Sequence, residues 1–144
     1  TGGLVGKKIT DVSGSSEVFL GGIITYSNEF KVNLCDVAGE TLEQFGAVSS
    51  GVAKEMAEGG LKKYNADIAV SITGIAGPTG ETEDKPVGLV YIGIATKEKT
   101  YAARFNFLGN RGKIRELSAK NALFMLYSEI LNCRTATYDT DITA

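Results

Sequence analysis

Two neighbouring stretches decide the fold: ADIAVSITG at residues 66–74 and VGLVYIGIATKEKTYAARFNFLG at residues 87–109. The first is a nearly continuous apolar run, which is typical of a buried strand at the centre of a sheet. The second contains two apolar runs joined by the charged turn KEK at 97–99, which predicts a β-hairpin. A long glycine-rich loop at 74–86 separates the two stretches. Together they predict three strands.

Helical patterns precede these strands. Apolar residues recur at near-helical spacing over 4–12, and the stretch 38–46 predicts one or two helical turns that end at Gly46. Ser49 or Ser50 is expected to cap the next helix, because a serine hydroxyl can accept a hydrogen bond from a free backbone N–H of the first turn. The inward face of that helix is expected to carry Val52, Met56 and Ala57.

A long helix is predicted over 110–131 and a mostly apolar strand over 17–26. Strands that alternate with helices and are followed by a hairpin indicate the α/β class. We therefore predict a three-layer α/β/α sandwich with a mixed β-sheet. The residues of the long helix that are expected to face inward are Ile114, Leu117, Leu126 and Ile130.

One domain accounts for most of the chain. With 144 residues, 43% of them hydrophobic, the sequence can bury one substantial core. We assign residues 1–132 to a single domain and predict that residues 133–144 form a polar, disordered tail. The chain begins TGGLVGKK, without an initiator methionine. We therefore expect its natural N-terminal segment to be missing from this sequence.

The composition argues against several classes of protein and site. Fifteen basic and seventeen acidic residues leave a net charge of -2, which gives no electrostatic footprint for nucleic acid or for an anionic membrane. No apolar run approaches the roughly 20 residues of a membrane span. The chain has no histidine, which excludes every histidine-based triad and argues against a zinc site. We expect neither a metal nor a cofactor.

The two cysteines, Cys35 and Cys133, are far apart and form no CxxC pair. They do not resemble a disulfide framework, so we expect a reducing, cytoplasmic location. Cys35 lies in VNLCDV and is interpreted as a small core residue rather than as a nucleophile.

Three loops carry the candidate chemistry, each at a strand end or helix start, where open α/β sheets bind ligands. The first is TYSNEFK at 25–31. Lys31 can act as a general base only if its pKa falls from about 10.4 toward neutrality, through burial or a nearby positive charge. Tyr26 and Asn28 could then bind a substrate or orient the amine. The alternative is a surface lysine in a turn.

The second loop is TGIAGPTG at 73–80, where Gly74 and Gly77 could present backbone N–H groups to an oxyanion or a phosphate. The third is LGNRGKIR, where Arg111 lies just before a helix N-terminus, a favourable place for a phosphate. The alternatives are a flexible linking loop and a capped surface turn. Two weaker candidates are SGSS at 13–16 and the opening glycines, Gly2 and Gly3, which could hold an anion.

Taken together, the stretches resemble the C-terminal domain family of the competence/damage-inducible protein CinA. The resemblance is carried in order by DVSGSSEVFLGGIITYSNEFK, GAVSSGVAKEMAEG, ADIAVSITGIAGPTG, KPVGLVYIGIA and F.GNR..IR, and it runs from Thr1 to about Leu131. It implies a three-layer α/β/α fold whose preceding strand and helix are absent from this chain. It also implies deamidation of nicotinamide mononucleotide (NMN) by a Ser/Lys amidohydrolase without metal or histidine.

The resemblance also suggests residue roles. Lys31 matches the catalytic lysine, Thr73 a threonine linked to catalysis, and Arg111 an arginine of the substrate pocket or the oligomer contact. The nucleophilic serine of the family lies in an ESCTGG motif, so it would be two positions before Thr1 and outside this sequence. Residues in matched motifs with less defined roles are Tyr26, Asn28 and Ser49, while Ser15, Ser16 and Ser27 do not match the serine.

The function implied is therefore NMN amidohydrolase activity in pyridine nucleotide recycling, provided that the upstream serine exists. The alternative is a non-catalytic nucleotide-binding or regulatory domain, and a third reading is a structural module without a ligand. The expected partners are a small mononucleotide and, from the resemblance, further copies of the chain. No nucleic acid or membrane partner is expected.

Overall fold

The computed structural model describes the backbone of residues 1–138 and the side chains of residues 1–132. Its elements confirm the α/β class. In chain order they are α1 (Leu4–Thr10), a 3-10 turn (Ser15–Glu17), α2 (Asn28–Cys35), α3 (Gly39–Phe45), α4 (Ser50–Tyr64), β1 (Ile68–Gly74), β2 (Leu89–Thr96), β3 (Thr100–Asn106) and α5 (Arg111–Tyr138).

The three strands form one sheet in the order β1-β2-β3, and both pairings are antiparallel. Ser71 pairs with Gly93, which in turn pairs with Ala102. The predicted hairpin is confirmed. The sheet of the described residues is antiparallel throughout rather than mixed, and β2 rather than β1 is its central strand. Six of the eight β2 residues pair with both neighbours, which explains why β2 is the most buried strand.

Helices cover both faces of the sheet, which confirms the three layers. On one face α4 packs so closely that Ser71 Oγ donates a hydrogen bond to the carbonyl oxygen of Ala53. On the other face Val90 and Ile92 pack against Ile114 and Ala122 of α5, and all four are at most 2% exposed. Because successive side chains of β2 point to opposite faces of the sheet, β2 contributes apolar side chains to the contacts with α4 and with α5.

The strand predicted over 17–26 is wrong. Residues 18–27 run without regular structure and pair with none of the three strands. The segment is held instead by side-chain packing: Tyr64 donates from its hydroxyl to Gly22 O over 3.3 Å, and a side chain at Gly21 would meet the Tyr64 ring at 2.9 Å. A run with strand-like composition forms a strand only where a neighbouring backbone edge is available.

Helix α5 is longer than predicted. It continues to Tyr138, so the first part of the expected tail is helical, while residues 139–144 lie outside the described residues. Ile114 is buried as predicted, but Ile130 is 41% exposed. The expectation that Ile130 faces inward is therefore wrong.

A buried carboxylate ties α5 to β3. Glu129 is 3% exposed, accepts a hydrogen bond from the Tyr101 hydroxyl at 3.1 Å and lies 2.8 Å from the Lys99 ammonium. We expect Glu129→Ala to lower the free energy of unfolding by about 2–3 kcal/mol, because Tyr101 loses its acceptor and a cavity replaces the carboxylate. Urea denaturation would measure the loss.

The matched control for this prediction is Ser128→Ala, because Ser128 is the neighbouring residue and its hydroxyl only bonds back to Phe124 O within the helix. We expect a change within about 0.5 kcal/mol for that variant. Equal stability of the two variants would show that the contacts of Glu129 are not stabilising.

Candidate active site

Lys31 lies in the first turn of α2, not at the end of a strand. Ser27 is the N-cap residue of this helix, and its hydroxyl accepts a hydrogen bond from Phe30 N at 3.3 Å. This capping interaction starts a helix where a polar turn was predicted. Lys31 is 7% exposed, and its ammonium donates to the carbonyl oxygens of Thr25 at 3.0 Å and Ser27 at 3.4 Å.

The surroundings of Lys31 favour its neutral form. Burial lowers the pKa of the Lys31 ammonium below the usual lysine value, because a charged amine loses hydration inside the protein. The Cys35 thiol, one helical turn further along, opposes this shift in part. Since both hydrogen-bond partners of Lys31 are neutral carbonyls, no carboxylate holds the amine in its charged state. Burial and the neutral hydrogen-bond partners therefore act on Lys31 in the direction that a lysine base requires.

Packing between α2 and α4 sets the position of Lys31. Cys35, Val37 and Val52 form a buried cluster at this contact, each at most 3% exposed, which confirms that Cys35 is a core residue. Gly59 of α4 lies so close to α2 that a Cβ there would overlap the carbonyl group of Cys35. The backbones of the two helices therefore approach directly, and the lysine is placed by a rigid contact.

Thr73 and Ser49 both secure the connection between α3 and α4. Thr73, 6% exposed, donates from its hydroxyl to Ala47 O at 2.7 Å. Ser49 is the N-cap of α4, as predicted, and its hydroxyl accepts from Val52 N at 3.3 Å. Among the described residues Lys31 and Thr73 make no hydrogen bond to each other; each is bonded to a different backbone carbonyl.

Arg111 is the first residue of α5, and its guanidinium donates to Gly77 O at 2.8 Å. Gly77 is buried, has a φ of +74° and precedes a cis bond to Pro78. Gly74 ends β1, and a side chain there would meet Val90 of β2 at 2.7 Å. The glycine-rich loop is therefore tied to the start of α5.

Residues 1–3, which we call the N-terminal turn, lie between α5 and the segment that precedes α2. Arg115 donates to Thr1 O from Nε at 3.1 Å and from Nη2 at 2.9 Å. A side chain at Gly3 would meet Ile24 at 3.1 Å, and the next residue, Thr25, accepts the hydrogen bond of Lys31. These contacts link Lys31, the N-terminal turn and the start of α5.

Arg115 was not among the predicted site residues. The sequence could have indicated Arg115 as a site residue through its position four residues after Arg111, because residues four apart lie on the same side of a helix. The predicted residues Tyr26 and Asn28 lie on the surface at the start of α2, where the Tyr26 side chain is 82% exposed. Gly2 and Gly3 have φ values of +65° and +86° and lead directly into α1.

Two other kinds of site are not found among the described residues. No three His, Cys, Asp or Glu side chains come together there as ligands for a metal ion. No helix in the same part of the chain has both the length and the hydropathy of a transmembrane span.

Sequence comparisons match nearly the whole described chain. The family model described as CinA C-terminal domain matches residues 1–130. A relative from Caldicellulosiruptor saccharolyticus is 58% identical over 132 residues, which are 92% of this chain and 32% of that protein. A CinA-like protein from Syntrophomonas wolfei is 54% identical over the same shares of both chains. The chain thus spans about a third of the length of these curated relatives.

Solved structures of similar proteins share the fold. The competence/damage inducible protein CihA from Agrobacterium tumefaciens superposes with a TM-score of 0.86 at 39% identity, over 88% of this chain and 78% of that one. The competence damage-inducible protein A from Klebsiella pneumoniae superposes with a TM-score of 0.87 at 29% identity, over 90% and 81% of the two chains.

Proposed function

Because the chain belongs to the CinA C-terminal domain family, we propose that it carries the base of an NMN amidohydrolase, which converts NMN and water to nicotinic acid mononucleotide and ammonia. One observation carries the proposal: Lys31 is buried with a lowered pKa and is hydrogen-bonded only to neutral carbonyls. Burial makes the neutral amine, the form that can accept a proton, easier to reach than in an exposed lysine, and the chain contains no histidine that could act as the base instead.

The proposed reaction has two steps. In the first, neutral Lys31 accepts the proton of a serine two positions before Thr1, and the serine oxygen attacks the carboxamide carbon of NMN. The C–N bond then breaks, Lys31 returns the proton, and ammonia leaves a serine ester. In the second step Lys31 activates a water molecule, which hydrolyses the ester to the carboxylic acid and restores the serine.

Other residues are proposed to stabilise the charges of this reaction. Backbone N–H groups of Gly2, Gly3, Gly74 and Gly77 are candidates for the oxyanion. Thr73 is a candidate proton relay on the family resemblance alone, and to relay a proton its hydroxyl would have to turn away from Ala47 O, to which it donates. We assign Tyr26, Asn28 and Ser49 only a supporting role at the substrate pocket. This is consistent with the exposure of Tyr26 and with the capping role of Ser49.

The test is ammonia release from NMN by a polypeptide that includes the residues preceding Thr1. A coupled assay should show turnover that depends on the upstream serine and is insensitive to chelators. Saturable NMN binding by calorimetry without ammonia release would instead favour a non-catalytic nucleotide-binding domain. If the polypeptide showed no NMN binding and no turnover, the amidohydrolase and the nucleotide-binding domain would both be contradicted. A structural module without a ligand would then remain.

Arg111 is proposed to bind the phosphate of NMN. We expect Arg111→Ala to raise KM for NMN by roughly ten- to a hundredfold, because a charge-assisted contact to the phosphate is lost. Nicotinamide riboside lacks that phosphate, so its KM should be the same for the variant and the wild type. A matching rise for both substrates would show that Arg111 acts through Gly77 and not on the phosphate. Lys113→Ala, an exposed cation two residues further along, serves as the control.

The proposed setting is cytoplasmic, supported by Cys35 as a buried free thiol. Self-association is also proposed. Its support is the large exposed apolar side chains on the outer side of α5, where Phe124 is 67% and Tyr127 is 60% exposed. Sedimentation equilibrium would measure the mass in solution. We propose no nucleic-acid or membrane partner.

A further inference from the structure

We propose that Arg115 is a positioning residue that holds the main chain carrying the nucleophile. The inference rests on the proposed function, because the nucleophile is the serine expected two positions before Thr1. Its basis is the pair of hydrogen bonds from Arg115 Nε and Nη2 to Thr1 O, at 3.1 and 2.9 Å. These bonds join residues 114 positions apart.

The contact is well suited to fixing an orientation. The Nε–H and one Nη2–H of a guanidinium point in the same direction, so the carbonyl oxygen is held by two donors in a rigid plane. An ammonium group would offer a point charge on a flexible stem instead. The side chain of Arg115 starts from α5, next to Ile114, which is 1% exposed in the core. The anchor is therefore part of a rigid element.

The N-terminal turn needs such an anchor. Gly2 and Gly3 both have left-handed φ values, and Gly3 caps α1 without a side-chain hydrogen bond. Glycine is the residue with the largest conformational freedom, so two in succession make a mobile joint unless another group holds it. A Cβ at Gly2 would lie 3.6 Å from Arg115 Nη2, which shows that the guanidinium packs directly on this joint.

The distance to the nucleophile is short. Two residues of trans polypeptide span at most about 7.6 Å between Cα atoms, so a serine two positions before Thr1 begins near the anchored carbonyl. A shift of about 1 Å in a reacting group can cost roughly a hundredfold in rate. A displacement of the N-terminal turn would therefore displace the serine by nearly the same distance.

Arg115 and Arg111 have different partners and thus different predicted kinetic effects. Arg115 is bonded to the N-terminal turn, and Arg111 is bonded to the glycine-rich loop. If Arg115 positions the nucleophile, its loss lowers kcat and leaves KM for NMN nearly unchanged. If it binds substrate, its loss raises KM.

The experiment compares Arg115→Ala, Arg115→Lys and the exposed control Lys120→Ala in the polypeptide with the upstream serine. For Arg115→Ala we expect kcat to fall about a hundredfold, with KM within about threefold of wild type. We expect partial recovery with added guanidinium ion. Hydrogen exchange of the Lys7 amide, which donates to Gly3 O at 3.0 Å, should be about tenfold faster in this variant and unchanged in the control. Arg115→Lys should show a loss of kcat between those of the control and of Arg115→Ala. It replaces Arg115→Ala in the test if the alanine variant does not fold.

Unchanged exchange, or a rise in KM at constant kcat, would overturn the role of Arg115. A separate readout distinguishes this from failure of the proposed function: the rate at which a fluorophosphonate probe labels the upstream serine, followed by intact mass. If wild type releases no ammonia from NMN but is labelled, the proposed substrate fails, and slower labelling of Arg115→Ala still supports positioning. An unlabelled wild-type serine would overturn both.

Discussion

Replacing Lys31 by methionine is expected to lower kcat for NMN deamidation by about 10³-fold or more in a polypeptide that contains the upstream serine. Without a base the serine hydroxyl remains protonated and is a weak nucleophile. Methionine keeps most of the length of the lysine stem, so the contacts of α2 with its neighbours are retained. NMN binding, measured by calorimetry, should change little. The matched control is Lys54→Met, which replaces an exposed lysine on α4.

The same residue predicts the pH dependence of the rate. The proposed reaction needs the neutral amine, and burial lowers the pKa of Lys31. The rate should therefore rise with pH through the folded-state pKa of Lys31 and level off above it, below the pH at which an ordinary lysine would titrate. A pH–rate profile of kcat tests this. Near-normal ammonia release by Lys31→Met would remove Lys31 from the mechanism.

Stability should also rise with pH, because the lowered pKa of Lys31 favours the neutral amine in the folded state. Between the lowered pKa of folded Lys31 and the ordinary value of the unfolded chain, the unfolded state binds more protons. The free energy of unfolding of wild type should therefore rise with pH across this window, whereas Lys31→Met should lack that contribution. Below the window wild type has a charged amine in a buried position, so the methionine variant should be at least as stable there.

The second large effect is expected from Gly59→Ala. A Cβ at Gly59 would lie 2.7 Å from the Cys35 Cα and closer still to its carbonyl group. Because backbone atoms of α2 block the added methyl group, the helices must move apart, and we expect a loss on the order of 3–4 kcal/mol in the free energy of unfolding. This outweighs the gain of about 1 kcal/mol that alanine brings to a helix interior.

The adjacent glycine provides the control. A Cβ at Gly60 would meet its nearest neighbour, the Ala69 Cβ, at 3.9 Å, which is an ordinary contact. Gly60→Ala should therefore raise the free energy of unfolding by about 0.5–1 kcal/mol through helix propensity alone. Thermal and urea unfolding of both variants would measure the difference. If the two variants had equal stabilities, α2 and α4 would not be in backbone contact in solution. Since α2 carries Lys31, any folded Gly59→Ala protein should also be less active.

Most of the helices and strands could be predicted from local pattern. The apolar runs at 68–74 and 89–106 have the length and composition of strands, and Ser49 caps α4 as its sequence context predicts. The stretch 18–26 has the same strand-like composition but forms no strand. Composition indicates which side chains a strand could bury. Whether the strand forms also depends on an unpaired backbone edge of another strand, which lies elsewhere in the fold. The helical start at Ser27 was missed for a related reason, because its serine cap was interpreted as a turn.

By itself the sequence determined the α/β class, the positions of the core strands and the absence of a histidine base, because these depend on local periodicity and composition. It also marked Lys31 and Arg111 as residues of interest. Only the tertiary structure decided that Lys31 is buried among carbonyl oxygens and that Arg115 holds the N-terminal turn. Burial and hydrogen bonding between distant residues arise from the packing of whole helices against the sheet. No local pattern encodes which distant groups that packing brings together.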